Sequence, residues 1–195
     1  MMNIYVVTWE EIQSSLHKLA SKIGDSRYEP EIIVGIARGG WVVARILSDL
    51  LGVKDVASLK IKFYKGLDDR ERRPTITQPI SESPEGKNIL MVDDVVDTGE
   101  SIIVARKHVM DHGAKVVKVA TIHMKPWSKI IPDYYVSCTE DWVMYPWEVR
   151  ETLERLGAIC QGGQVDLEDL KNRVASTGIS PQLIERYLKG KGNGA

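Results

Sequence analysis

Two adjacent aspartates and a third three residues on stand in the stretch Ile89-Leu90-Met91-Val92-Asp93-Asp94-Val95-Val96-Asp97-Thr98-Gly99-Glu100-Ser101. The four apolar residues Ile89 to Val92 read as a buried parallel strand. Asp93 and Asp94 follow at its end, and Asp97 lies in a short loop. Thr98-Gly99-Glu100-Ser101 then opens an apolar-periodic run, Ile102 to Val109, with helical spacing. The first turn of such a helix presents unpaired N–H groups and the positive end of its dipole, which suits a phosphate. The acids just before it suit ribose hydroxyls or a hydrated Mg²⁺. Phosphate, diol and metal within one loop describe a ribose phosphate. An ordinary turn with a capping Asp would share part of this pattern. Two acids followed by Asp-Thr-Gly-x-Ser at this register favour the ligand site.

The elements that must hold this loop alternate in type. Ile4 to Val7 is a short strand, and Thr8-Trp9-Glu10-Glu11 is a capping box. Ile12, Leu16, Leu19, Ala20 and Ile23 continue at helical spacing. Glu31 to Ile36 is a buried strand, and Ala37-Arg38-Gly39-Gly40 joins it to a helix from Trp41 to Leu51 that ends at Gly52. In that join the glycines let the backbone approach an anion and Arg38 adds charge. Val56 to Tyr64 is a strand, and Lys65 to Glu85 a long polar loop without clear periodicity, with Arg70, Arg72 and Arg73 at its tip. Val116 to Ile122 is a further strand. Tyr134 to Val136 and Trp142 to Met144 read as short strands at the rim of the site. This alternation predicts a mainly parallel sheet with helices on both faces, and ligands at the carboxyl ends of its strands.

A length of 195 residues and a net charge of −1 suit one α/β domain with a small addition, and argue against bulk attraction to nucleic acid. Cys138 and Cys160 form no metal or disulfide spacing and read as free thiols. No apolar run reaches membrane-spanning length, and the N-terminus lacks the pattern of a secretory signal. The expectation is a cytoplasmic protein without nucleic-acid or membrane partners. His17, His108, His112 and His123 are scattered and suggest no metal cluster.

The Ile89–Ser101 stretch closely resembles the thirteen-residue signature of the type I phosphoribosyltransferases, which bind phosphoribosyl pyrophosphate. Lys125-Pro126-Trp127 and Trp142-Val143-Met144-Tyr145-Pro146-Trp147-Glu148 resemble the base-binding segments of the hypoxanthine-guanine and xanthine-guanine branch. Tyr5-Val6-Val7-Thr8-Trp9 and Asp133-Tyr134-Tyr135-Val136 are similar to that branch as well. The likeness covers roughly residues 3 to 149. It implies the type I phosphoribosyltransferase fold, with a small hood, and transfer of phosphoribosyl to hypoxanthine, guanine or xanthine. Asp93 and Asp94 would then hold the ribose diol and Mg²⁺, and Glu148 would hold a second Mg²⁺ through water. Asp93 through Ser101, including Val95, Val96 and Glu100, would form the ribose 5′-phosphate loop, with Asp97 taking or sharing the purine N7 proton. Ala37, Arg38, Gly39 and the backbone of Tyr64 would bind pyrophosphate, with a cis peptide before Arg38. The 65–85 loop would be a closing lid. Lys125 would donate to the purine O6, Trp142 would stack on the base, and Val143 would meet its edge. Two departures stand out. Glu100 replaces a small or basic residue and should point away from the phosphate, and Phe63-Tyr64 replaces a Ser-Tyr pair.

Residues 1–149 would carry this domain with its hood, and 150–195 a helical appendage. That appendage has helices over Arg150 to Leu156, after Asp166, and from Ser180-Pro181, with a break at Gly162-Gly163. Every candidate group precedes Arg150, so a truncation there should leave the site intact. Relatives also imply a homo-oligomer, dimer or tetramer. Two alternatives remain at this stage. One is a nucleotide-binding transcription regulator on the same fold, using the appendage as its partner module. The other is an enzyme for another base, such as adenine or orotate, against which Lys125 and the Trp142 segment argue.

Overall fold

A computed structural model describes residues 3–65, 72–159 and 167–189. The chain divides into two compact units, Gln13–Thr139 and the combination of Met1–Ile12 with Glu140–Ala195. Arg70, Gly162, Gly163 and Asp166, singled out above, lie outside the described residues, as does Cys160.

The larger unit is built on a six-stranded sheet. Its strands are β2 (Ile32–Ala37), β3 (Asp55–Lys65), β4 (Arg72–Gln78), β5 (Asn88–Val96), β6 (Val116–Met124) and β7 (Tyr134–Cys138). They lie in the order β4-β3-β2-β5-β6-β7. All neighbours are parallel except β3 and β4. Helix α2 (Gly40–Leu51) packs on β2 and β5, and α3 (Glu100–Asp111) on β3, β4 and β6. Strand alternation explains why both faces are covered. Ile32, Val34, Ile36, Ile89, Met91, Val117 and Val119 share one core with Ile102, Ala105 and Val109 of α3. Gly35, one position out of phase, faces Ala44 of α2. The structure is thus the expected α/β fold around a mostly parallel sheet.

Three elements differ from expectation. Strand β5 does not stop at Val92 but runs to Val96, because Val95 and Val96 pair with His123 and Met124 of β6. Residues 72–78 are a strand rather than loop. Pro74 lies opposite Phe63 there, and only an edge strand accommodates a residue without an N–H so readily. Tyr134 to Cys138 forms the other edge of the main sheet rather than part of the rim, in register with Ala120 to Met124.

Where α3 ends, His108 Nε2 accepts the Ile80 N–H at 3.3 Å. Burial, and then the neighbouring His112, hold its pKa below the usual 6.5. Below about pH 6.5 the unfolded chain therefore takes up this proton more readily than the folded one, so stability rises with pH through that window. We expect the midpoint of unfolding to fall as pH drops from 7.5 toward 5.5, and His108→Gln, which keeps an acceptor, to flatten part of that slope. An unaltered slope in His108→Gln would assign the pH dependence to other groups.

The smaller unit contains β1 (Ile4–Val6) and β8 (Trp142–Met144), paired in parallel, and helices α4 (Val149–Ile159), α5 (Leu167–Ala175) and α6 (Pro181–Leu188). Helix α1 (Trp9–Asp25) starts here and continues into the larger unit. Its capping box forms as read: Thr8 N–H donates to Glu11 Oε2 at 2.8 Å, and Glu11 N–H to Thr8 Oγ1 at 3.2 Å. Ser180 caps α6, with Pro181 in its first turn.

The apolar stripes of α4, α5 and α6 meet one another and the strands. Leu153, Leu156, Leu170, Val174 and Ile184 form one core with Ile4 and Met144. The boundary expected between residues 149 and 150 falls inside this core, because helices with these stripes need a shared apolar surface. A chain ending at Arg150 therefore loses partners that stabilise β1 and β8, at about 1.5–3 kcal/mol per fully buried side chain. Hydrogen exchange of the Val7 amide, which donates to Met144 O, should accelerate in that truncation. Unchanged protection would show that β1 and β8 hold without the helices.

Candidate functional site

The candidate groups of the larger unit gather at the carboxyl ends of β2, β5 and β6. Asp93 is half-buried and Asp94 buried near the carboxyl end of β5, and Asp97 is exposed just past it. Each of the first two is fixed locally: Asp93 Oδ1 accepts the Asp94 N–H at 3.0 Å, and Asp94 Oδ1 accepts the Val95 N–H at 2.8 Å. Gly99 then takes φ 83°, a left-handed conformation, and serves as the N-cap of α3 without a side-chain cap. Glu100 N–H, the first of the helix, meets Thr98 Oγ1 at 3.4 Å; the N–H groups that follow lie at the positive end of the helix dipole, which suits an anion.

The Ala37-Arg38-Gly39-Gly40 loop leaves β2 beside this one. Its Ala37–Arg38 peptide is cis, as the resemblance implied. A Cβ on Gly39 would collide with the Asp94 carboxylate, and one on Gly40 with the Val92 carbonyl. Only glycine lets the two loops approach this closely, so the anion loop and the acid loop form one surface. Arg38 is exposed on it. Tyr64 is also exposed, on β3 near the start of the β3–β4 hairpin. The side chain of Arg73 on β4 is exposed as well.

The loop after β6 is joined to the phosphate loop by backbone. Lys125 N–H donates to Val96 O at 2.9 Å, and Lys129 N–H to Thr98 O at 3.0 Å. The Lys125 side chain is buried, and its ammonium lies 5.6 Å from the centre of the Trp127 ring. The Trp127 indole N–H donates to Asp97 Oδ1 at 2.8 Å. Glu100, expected to face away from a phosphate, is paired with Lys129 at 2.5 Å. That pairing neutralises an acid in the first turn of α3.

Trp142, Val143 and Glu148 belong to the smaller unit. The Arg155 guanidinium lies 5.2 Å from the Trp142 ring centre, a cation–π contact. Val143 is buried on β8, between its neighbours Trp142 and Met144. Glu148 Oε1 accepts the Tyr145 N–H at 3.4 Å, in a turn where Tyr145 and Trp147 stack at 4.9 Å. The sequence gives Trp127 no role beyond its place in the Lys125-Pro126-Trp127 segment, and Lys129 none at all. The only signal for them is their position two and four residues after Lys125.

A mainly parallel sheet carrying a glycine-rich loop with Arg38, two acids near the end of a strand and a helix that starts behind a left-handed glycine is an α/β arrangement that suits a phosphorylated, polyhydroxylic ligand. The phosphoribosyl transferase domain matches residues 8–152, and the chain belongs to that family. It is 29% identical over 144 residues to the xanthine-guanine phosphoribosyltransferase of Gluconobacter oxydans, covering 73% of this chain and 83% of that one. Among solved structures it is similar to the purine phosphoribosyltransferase of Pyrococcus horikoshii, with 40% identity and a TM-score of 0.70, over 75% of this chain and 95% of the other. The xanthine-guanine-hypoxanthine phosphoribosyltransferase of Helicobacter pylori shares the fold at 23% identity and a TM-score of 0.67, over 80% and 99% of the two chains.

Proposed function

We propose that this chain transfers the phosphoribosyl group of phosphoribosyl pyrophosphate to a 6-oxopurine, giving a nucleoside monophosphate and pyrophosphate for purine salvage. The observation that carries this reading is the pair of backbone bonds from Lys125 to Val96 and from Lys129 to Thr98. They join the segment that carries the buried Lys125 side chain to the phosphate loop, which supports a reading in which an anion site and a donor for a purine carbonyl act together. The relatives at 40% and 29% identity are named as enzymes, which favours catalysis over the regulator reading.

In this reading, the N–H groups at the start of α3 hold the ribose 5′-phosphate, together with Thr98, Gly99 and Ser101. The Arg38 loop receives the departing pyrophosphate. The bond from C1′ to the pyrophosphate oxygen breaks as the bond from C1′ to the purine nitrogen forms. Asp97 takes or shares the N7 proton while Lys125 donates to O6. Trp142 stacks on the base and Val143 meets its edge. Asp93 and Asp94 suit Mg²⁺, a hard cation that takes one or two carboxylates and fills its remaining positions with water and substrate oxygens. Glu148 is a further carboxylate for a second ion through water. Bound Mg²⁺ supplies charge neutralisation at the pyrophosphate. The reading includes a homo-oligomer, dimer or tetramer, and a cytoplasmic location, which suits the free, exposed thiol of Cys138.

Calorimetric titration with phosphoribosyl pyrophosphate tests the ligand half of this function. Binding is expected to depend on Mg²⁺ and to weaken at least about tenfold in Asp94→Ala, the loss of about one charged contact. Equal affinity with and without the carboxylate would remove Asp94 from the site.

A further inference from the structure

We infer that Trp127 is a positioning residue which holds the two groups meant to face the purine, Asp97 and Lys125, through a single indole ring. The inference rests on the function proposed above and adds a residue to it. Its basis is geometric. Asp97 lies between the two residues whose carbonyls anchor the neighbouring loop, Val96 and Thr98. Trp127 lies between the two residues whose N–H groups make those anchors, Lys125 and Lys129. A further bond, Ser128 N–H to Lys125 O at 3.1 Å, tightens the turn around it. The two chain segments are pinned on either side of the pair, and the indole spans the space between.

Each part of the ring has a different task there. The edge N–H meets Asp97 Oδ1 at 2.8 Å, and no other hydrogen bond to that carboxylate occurs among the described residues. The ring's electron-rich face lies toward the Lys125 ammonium, 5.6 Å from its centre. Core packing does not account for a Trp at this position, since its surface is 54% exposed. An exposed carboxylate without a fixed donor would rotate among rotamers, and only some of them aim an oxygen at a base. The N–H of Trp127 selects one. Its ring restricts the long lysine chain in the same way, so the donor and the acceptor keep a fixed spacing, as recognition of adjacent O6 and N7 atoms requires.

The edge and the face can be separated by substitution. Trp127→Phe keeps a ring for Lys125 and removes the N–H. Trp127→Ala removes both. Trp127→Phe should lower kcat about tenfold while the KM values for hypoxanthine and phosphoribosyl pyrophosphate stay within about twofold. Trp127→Ala should also raise the KM for hypoxanthine about tenfold. If the N–H acts through Asp97, its removal has no further effect on kcat in an Asp97→Ala enzyme, because coupled neighbours are not additive. An unchanged kcat in Trp127→Phe, or full additivity in the double variant, would overturn the inference. A second readout needs no turnover. The indole ¹H–¹⁵N signal of Trp127, one of five and identified by its loss in Trp127→Phe, should shift in Asp97→Ala. A signal that stays in place overturns the inference whatever the kinetics. Absence of turnover by the wild-type protein with any purine would instead contradict the proposed function, and the indole signal would still decide the contact.

Discussion

Asp97→Asn is expected to lower kcat by about 10²-fold or more, the usual scale of general acid–base assistance, while phosphoribosyl pyrophosphate binding persists. The substitution changes one property. An amide oxygen can still accept the Trp127 N–H that reaches Asp97 Oδ1 at 2.8 Å, so the side chain keeps its orientation. What it loses is the charge and the capacity to take a proton. Binding should persist because the phosphate contacts proposed for the start of α3 are backbone N–H groups, which the change leaves alone. Steady-state kinetics at saturating substrates, with calorimetric binding beside them, separate the two quantities. An unchanged kcat would remove Asp97 from the chemistry.

Lys125 is expected to set the choice of 6-oxo over 6-amino purines. An ammonium group has three donors and no acceptor. It satisfies the carbonyl of hypoxanthine or guanine, but it meets another donor in the amino group of adenine. Its burial makes that mismatch costly, since the ammonium is withdrawn from water that could compensate. A site of this kind rejects the mismatched analogue by about 10⁴-fold. In Lys125→Ala the efficiency with hypoxanthine should fall by about 10²-fold, the loss of one charge-assisted bond, and its ratio to adenine should narrow. An unchanged ratio would place the specificity in other groups.

Much of this site could be read from the chain itself because its signals are local. The acids, the small turn and the helix start of residues 89 to 101 are contiguous, and the capping box at Thr8 and Glu11 spans four residues. Their physics is decided within a few bonds. The features that escaped depend on distant partners. Strand β5 extends through Asp93 and Asp94 because β6 pairs with it as far as Met124, and nothing in two carboxylates announces a ladder. Strand β4 carries Pro74 and many charges, and only its place at the sheet edge makes them tolerable. Tyr134 to Val136 reads as a strand from the sequence, but its extension to Cys138 and the choice between sheet edge and rim lie in its pairing with β6. The Trp127–Asp97 bond joins side chains thirty residues apart in sequence. Glu100 was expected to avoid a phosphate. Lys129, twenty-nine residues away, provides its counter-charge. The C-terminal helices were legible as helices, yet their stripes could not name the surface they cover, which proved to include Ile4 and Met144.

The central claim is that a phosphoribosyl group passes to a 6-oxopurine on this chain. Its most direct test is to incubate the purified protein with phosphoribosyl pyrophosphate, Mg²⁺ and, in turn, hypoxanthine, guanine, xanthine and adenine, and to identify the products by mass. The account predicts a nucleoside monophosphate with stoichiometric pyrophosphate from at least one of the first three bases, and little or none from adenine. Products from adenine alone, or from none of the four, would contradict it.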